Sequence, residues 1–235
     1  SFNGIETPGP LPRALFRTIQ SGKYSRMWFI RMLDAREAIV GIFTDFKLRD
    51  VGSRQPETLA DIEQFAEDTA ATTMYLSIQG LGINHLDVDH MASHLGRTIG
   101  ITNLINTIPV QATYHTTPIP IELALQVSTF LNADQQPYQL STEDVLRGHT
   151  SEALTNAVYD MANVAYGHLD ATCHTLDNIP KAANVAFLPV VYSRYYLEQL
   201  QNVNFDPFHP SLAKLPANKL RLSWMTLKHF LRGTY

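Results

Sequence analysis

Asp89 to Gln111, with the sequence DHMASHLGRTIGITNLINTIPVQ, is the stretch that decides the fold. At helical period its apolar face comprises Met91, Leu95, Ile99, Thr102 and Ile105. A neighbouring face has almost no side-chain bulk and comprises Ser93, Gly96, Gly100, Asn103 and Thr107. Since a glycine inside a helix costs ~1 kcal/mol relative to alanine, two glycines four residues apart indicate either the close approach of another helix or the wall of a pocket. Pro109 is expected to end the helix, because it lacks an N–H and biases Ile108 away from helical angles.

Further helices are predicted on both sides of this stretch. They are expected at 11–20, 27–43, 57–80, 121–130, 151–176, 181–201 (bent at Pro189) and 218–231, with another helix starting at Ser141 as N-cap. Residues 1–10 are rich in Pro and Gly and are expected to form an irregular lead-in. No segment of any length shows the alternation typical of a strand, so the fold class is all-α. Residues 1–235 are expected to form a single domain.

The predicted helix 57–80 is strongly amphipathic. Its apolar face comprises Leu59, Ile62, Phe65, Ala66, Thr69, Thr73 and Leu76. Its polar face comprises Glu57, Asp61, Gln64, Glu67 and Asp68. Because these carboxylates lie opposite the apolar face, we expect a solvated surface rather than a metal site.

Composition limits the classes of function. The chain is 45% hydrophobic and 17% charged, with a net charge of −4, so nothing in it favours binding to nucleic acid. The single Cys173 excludes an internal disulfide framework, and beside His174 it is interpreted as a core residue rather than a nucleophile. No apolar stretch is long and uninterrupted enough for a transmembrane helix.

His90 and His94 are spaced four residues apart, as a zinc-chelating pair on a helix would be. Arg97 is expected to project from the same face one turn further on, where its fixed positive charge would oppose a divalent ion. We therefore predict no metal site here, and the sequence indicates no catalytic residue and no cofactor.

LGRTIGITNLINTI resembles the second signature helix of squalene and phytoene synthases, matching it at Leu95, Gly96, Thr102, Asn103 and Leu104. In those enzymes two aspartates near the end of this helix hold Mg²⁺ against the substrate diphosphate. Thr107 and Gln111 stand at these positions here, and neither is an anionic ligand. The first aspartate-rich motif of the enzymes is expected upstream of the region of resemblance. The resemblance therefore implies an isoprenoid-synthase-like helical bundle, truncated at the N-terminus and not an enzyme.

Other residues resemble the non-catalytic mitochondrial branch of this superfamily. They are DHMASHLG (89–96), Gly100, Pro109, WFIRMLDAREA (28–38), FAEDTAATTMYLSIQGLGI (65–83) and FDPFHPSL (205–212). That branch contains a respiratory complex I (NADH dehydrogenase) assembly factor and complex I accessory subunits of some protists. The resemblance implies a peripheral protein on the matrix side of the mitochondrial inner membrane, bound to complex I subunits. A related prenyl-synthase-like subunit is a further partner that it leaves open. The chain starts at Ser1 without Met, which suits removal of a targeting segment and equally a trimmed chain, and the resemblance favours the first.

Three interpretations of function follow from the resemblance. The first is a non-catalytic complex I scaffold, as accessory subunit or assembly factor. The second is a lipid- or isoprenoid-binding module whose vestigial cavity is bordered by Gly96, Gly100, Asn103, Thr107 and Gln111. The third, an active prenyltransferase, is disfavoured by the missing carboxylates. For the first interpretation, aromatic residues in three segments are candidate partner contacts: Phe2, Tyr192, Tyr195, Tyr196, Phe205 and Phe208.

Overall fold

The structure, a computed structural model, describes residues 9–21, 24–44, 55–125, 140, 142–172, 179–215 and 219–232. Among these residues there are helices and no strands, which confirms the all-α fold class. The first half comprises α1 (Pro10–Ser21), α2 (Arg26–Thr44), α3 (Leu59–Ala66), a π-helical turn (Glu67–Ala71), α4 (Thr72–Gly80), α5 (Leu86–Thr113) and α6 (Ile121–Leu125). The second half comprises α7 (Thr142–Leu146), α8 (Glu152–Ala171), a 3₁₀ turn (Lys181–Ala183), α9 (Asn184–Phe187), α10 (Val190–Asn202), α11 (Pro210–Ala213) and α12 (Lys219–Arg232).

The central helix α5 runs through the whole bundle and packs against α3, the π-turn, α8 and α10. One core cluster forms around its first half, where Val88, Met91 and Leu95 are fully buried. A second forms around its second half at Ile101, Ile105 and Ile108. The Oγ1 of Thr98, which lies between the two clusters, donates to the carbonyl of Ala165 on α8 at 3.2 Å. The stretch that resembles a signature helix is therefore the axis on which α3, the π-turn, α8 and α10 assemble.

The prediction that Pro109 ends this helix is wrong, since α5 continues through Pro109 to Thr113. A proline inside a helix costs about 3 kcal/mol. Ile105 and Ile108, on the turn before it, are completely buried. They hold the helix up to the proline. The turn after it is held by Ala112, which is buried as well, and by the side-chain amide of Gln111, which donates to the Thr107 hydroxyl at 2.9 Å.

Local signals set the ends of several other helices. The side chain of Thr58 accepts from the backbone N–H of Asp61, whose carboxylate in turn accepts from the Thr58 N–H, forming a capping box at the start of α3. Ser151 caps α8 by accepting from the N–H of Leu154. The predicted N-cap Ser141 and the Cys173–His174 pair lie outside the described residues.

The helix pair α2 and α4 is fastened by an aromatic contact. Trp28 stacks on Tyr75 with ring centroids 4.4 Å apart and an interplanar angle of 28°. The guanidinium of Arg31 lies 5.3 Å from the Trp28 ring and pairs with Asp68.

No helix among the described residues combines the length and apolarity needed to cross a membrane.

Candidate functional site

The small face of α5 is in direct contact with α3 and the π-turn. A β-carbon placed on Gly96 would lie 2.6 Å from the backbone nitrogen of Ala71 and closer still to its Cα. A β-carbon on Gly100 would lie 2.6 Å from the Cα of Ala66. Real β-carbons essentially never approach other atoms so closely, and both glycines are buried. Of the two alternatives that the sequence left open, the close approach of another helix therefore accounts for both glycines.

The remaining positions of the predicted vestigial cavity lie further along α5. Asn103 is exposed, whereas Thr107 and Gln111 are half-buried. The hydroxyl of Thr107 donates to the carbonyl of Leu104 at 2.8 Å and accepts from the amide nitrogen of Gln111 at 2.9 Å. Thr107 and Gln111, which the resemblance aligns with Mg²⁺-binding aspartates, are thus neutral side chains that are bonded to each other. This arrangement contains no anion to attract a divalent cation.

Glu67 is not on a solvated surface, and that prediction is wrong. Its carboxylate is buried in the contact between α4 and α5, where it accepts from three side chains. The hydroxyl of Tyr75 donates to Oε1 at 2.7 Å, and the hydroxyl of Ser93 donates to Oε2 at 2.8 Å. The third donor is the Nε of Arg97, at 3.1 Å from Oε2. Burial, and then the bond to Glu67, raise the pKa of Tyr75 above its usual range.

The π-turn begins at Glu67 and explains how Tyr75, eight residues later, comes to lie on the same side of the helix as Glu67. A π-turn adds a residue to one turn of the helix and so rotates every later side chain relative to a regular α-helix. Its run Thr69-Ala70-Ala71-Thr72 has little side-chain bulk, which leaves room for the wide turn against Gly96. The Thr72 hydroxyl donates to the carbonyl of Glu67, five residues earlier, at 3.2 Å. The exposed positions Glu57, Asp61 and Gln64 precede the turn and lie on the surface, as predicted.

Three histidines and one carboxylate form a second polar cluster, which joins α3, α5 and α8. The Nε2 of His168 lies 2.6 Å from Oε1 of Glu63, and its Nδ1 lies 3.0 Å from Nδ1 of His94. His94 in turn places its Nε2 3.3 Å from Nε2 of His90. With Glu63 accepting from His168, one neutral tautomer of each ring satisfies the whole chain of contacts.

Burial and the charges around His94 favour its neutral form. Burial, and then the neighbouring His168, His90 and Arg97, lower the pKa of His94. Arg97 was expected to share the face of the histidine pair, and it lies close enough to contribute to this shift while pairing with Glu67. No group of three or more His, Cys, Asp or Glu side chains in the described part of the chain is arranged to hold a metal ion. That His90 and His94 bind no metal stays a prediction.

Tyr195 and Tyr196, two of the predicted partner contacts, lie in the core instead. Both are buried among the apolar residues around the second half of α5, while Tyr192 is half-buried. The guanidinium of Arg221 lies 5.0 Å from the ring of Tyr195 and ties α12 to α10. Aromatic side chains bury a large apolar area, and the bundle uses that area internally here.

The FDPF turn packs on its own bundle through Phe205 and Phe208, which are half-buried, and that they contact a partner stays a prediction. Phe205 packs edge-on against Tyr159 at 5.0 Å, and Phe208 packs against the core near Gly148. The carboxylate of Asp206 accepts from the hydroxyl of Thr150 at 2.9 Å, which fixes the turn to the segment before α8. Phe2, the remaining predicted contact, lies outside the described residues.

Comparison with known proteins connects this geometry to a family. Residues 2–223 match the family model described as squalene/phytoene synthase. The solved structures it resembles include a squalene synthase from Alicyclobacillus acidocaldarius, with a TM-score of 0.67 and 15% identity over 88% of this chain and 70% of that one. They also include a dehydrosqualene synthase, with a TM-score of 0.74 and 16% identity over 98% of this chain and 74% of that one. At such identities these two structures show the fold alone.

Curated proteins of higher identity bear a different kind of name. A Dictyostelium discoideum protein named NADH dehydrogenase (ubiquinone) complex I, assembly factor 6 homolog is 34% identical over 93% of this chain and 58% of its own length. The Mus musculus protein named complex I assembly factor 6 is 27% identical over 92% of this chain and 59% of its own length. The chain thus spans somewhat more than half of the curated relatives that it matches.

Proposed function

The chain belongs to the squalene/phytoene synthase family, and we propose that it is a non-catalytic member that serves as a scaffold in the assembly of mitochondrial respiratory complex I. The observation that carries the proposal is the similarity, over more than nine tenths of the chain, to proteins named complex I assembly factor 6. We propose that it works in the mitochondrion, peripherally on the matrix side of the inner membrane. Its partners are complex I subunits, which it binds during assembly or as an accessory subunit.

The absence of catalysis is supported by Thr107 and Gln111. In a prenyl synthase, metal ions neutralise the charge of the leaving diphosphate, which contributes several kcal/mol to the transition state. Each ~1.36 kcal/mol is a factor of ten in rate, so the loss of the metal-binding carboxylates abolishes turnover rather than tuning it. Thr107 and Gln111 are joined by a hydrogen bond. The space beside Gly96 and Gly100 is filled by Ala71 and Ala66, respectively. These contacts favour a packed scaffold over the lipid-binding alternative.

Loss of the protein is expected to deplete assembled complex I. We propose disrupting its gene in the source organism and resolving mitochondrial complexes on a native gel stained for NADH dehydrogenase activity. The complex I band should fall at least several-fold, while the other respiratory complexes stay at wild-type levels. Re-expression should restore it equally with the wild-type chain and with the double variant Thr107→Ala, Gln111→Ala. A normal complex I band in the disrupted strain contradicts the scaffold function, and the non-catalytic assignment is tested separately by assaying the purified protein for prenyl products.

The purified protein is expected not to convert farnesyl or geranylgeranyl diphosphate in the presence of Mg²⁺. The physical reason is that no carboxylate stands at position 107 or 111 to hold the metal ion. The assay is chromatography of extracted prenyl products after long incubation, with a bacterial dehydrosqualene synthase as the positive control. Squalene, dehydrosqualene or phytoene above the level of a no-protein blank contradicts this prediction.

A further inference from the structure

Helix α12 carries an apolar stripe that the described part of the bundle does not cover. Leu220, Trp224, Leu227 and Leu231 are spaced by four, three and four residues, so they lie in one line along the helix. Their exposed fractions are 89%, 68%, 47% and 74%, and the neighbouring Phe230 is 47% exposed. At 1.5 Å per residue the stripe is about 16 Å long. Single exposed apolar residues are ordinary, but a contiguous line of them marks an interaction surface.

The opposite face of α12 holds the helix against the bundle. Met225 packs against both core clusters, and Leu222 and Thr226 are half-buried. Arg221 adds its contact with the Tyr195 ring on α10. The stripe is therefore the outer face of a docked amphipathic helix, presented in a fixed direction, rather than the surface of a detached end.

The charge of α12 indicates which kind of surface the stripe binds. The sequence of α12 contains Lys219, Arg221, Lys228 and Arg232 and no Asp or Glu, whereas the whole chain has a net charge of −4. A basic amphipathic helix with Trp, Leu and Phe on its apolar face is the pattern of a helix that lies in the headgroup region of an anionic bilayer. Basic residues next to such a surface are attracted to anionic lipids, and tryptophan favours the boundary between the apolar and the wet region.

We propose that α12 docks the protein onto an anionic lipid surface, with the stripe of Leu220, Trp224, Leu227 and Leu231 inserted shallowly and the exposed Lys228 beside it among the headgroups. A protein partner fits less well, because a stable interface buries ~800 Å² on each side and four or five side chains of one helix offer only part of that area. A bilayer needs no complementary shape. The inference rests on the proposed function only for the identity of the membrane that the protein binds. The contact with lipid itself follows from the residues of α12.

The test is co-sedimentation of the purified full chain with lipid vesicles. Vesicles containing phosphatidylglycerol should bind the protein roughly tenfold more tightly than vesicles of phosphatidylcholine alone, and high salt should remove the difference. The double variant Leu220→Ser, Trp224→Ser should lose most of the binding to the anionic vesicles. Leu86→Ser combined with Val185→Ser is the matched control, because both residues are exposed and lie on other helices. This control should bind as the wild type does, and circular dichroism should give all three proteins the same melting curve.

Two lysine variants measure the electrostatic contribution to vesicle binding. Lys228→Gln on α12 should weaken binding to the anionic vesicles several-fold, whereas Lys214→Gln, exposed at the end of α11, should leave it unchanged. The proposal is overturned if the wild-type chain ignores anionic vesicles, or if the stripe variant and its control bind alike. It is also overturned if the wild-type chain is a dimer that the stripe variant converts to a monomer, since the stripe would then meet a second copy. None of these outcomes depends on complex I, so this inference and the proposed function fail independently.

Discussion

Replacing Gly96 by alanine is expected to lower the free energy of unfolding by about 2 kcal/mol. Alanine favours the helix by ~1 kcal/mol over glycine, so helix propensity alone predicts a gain. The new β-carbon, however, would lie 2.6 Å from the backbone nitrogen of Ala71 and nearer still to its Cα. Backbone cannot rotate away as a side chain can, so α5 and the π-turn must separate along their contact. Overpacking of this kind costs ~1–3 kcal/mol or more, and its upper range applies here.

Gly167 provides the matched control for this prediction. It also lies inside a long helix, α8, but a β-carbon placed on it meets nothing within 4 Å. Gly167→Ala should therefore raise the free energy of unfolding by up to ~1 kcal/mol, which is opposite in sign to the effect at Gly96. Urea titrations of the two variants and the wild type measure both values. If the two alanine variants shift stability in the same direction, the helix contact at Gly96 is not as close as described.

Much of the fold could be predicted because its signals are local or periodic. The central helix, the long α8 with its Ser151 cap and the break near Pro189 all follow from helical periodicity and capping chemistry. The pair Gly96 and Gly100 predicted a close contact or a pocket, since two glycines in one helix reduce its stability and need a structural reason. The sequence could not decide between a helix and a pocket there. That choice depends on Ala66 and Ala71, which come from a different part of the chain.

The errors arise where tertiary packing overrides a local rule. Pro109 lies within α5 because the burial of Ala112 beyond it and the bond from Gln111 to Thr107 across it offset one lost hydrogen bond. Tyr195 and Tyr196 are core residues because their α10 face meets the second half of α5, which no composition argument reveals. The stripe on α12, by contrast, follows a simple helical period together with a run of basic residues. A search for that pattern in the sequence would have found it.

The contact between Glu67 and Tyr75 was the least predictable one, because a period of 3.6 residues fails across the π-turn that separates them. Glu67 is the second position at which a substitution is expected to have a large effect on the free energy of unfolding. Glu67→Ala is expected to lower the free energy of unfolding by about 3 kcal/mol, since it removes three charge-assisted hydrogen bonds. Much of the loss comes from Tyr75 and Ser93, whose hydroxyls lose their acceptor. Arg97 contributes less, because its side chain is one-third exposed and water can hydrate its charge again.

Two comparisons isolate the buried network from an ordinary ion pair. Glu198 also pairs with the Nε of an arginine, Arg194 at 3.3 Å, but this pair lies within one helix and both of its side chains are exposed. Glu198→Ala should therefore change stability by less than ~0.5 kcal/mol, and an equal loss at Glu67 and Glu198 would refute the network. In addition, Tyr75→Phe should cost clearly less in the Glu67→Ala background than in the wild type, because the hydroxyl has then already lost its acceptor. A double-mutant cycle measured by urea unfolding gives this difference directly, and a coupling near zero would show that Glu67 and Tyr75 act independently.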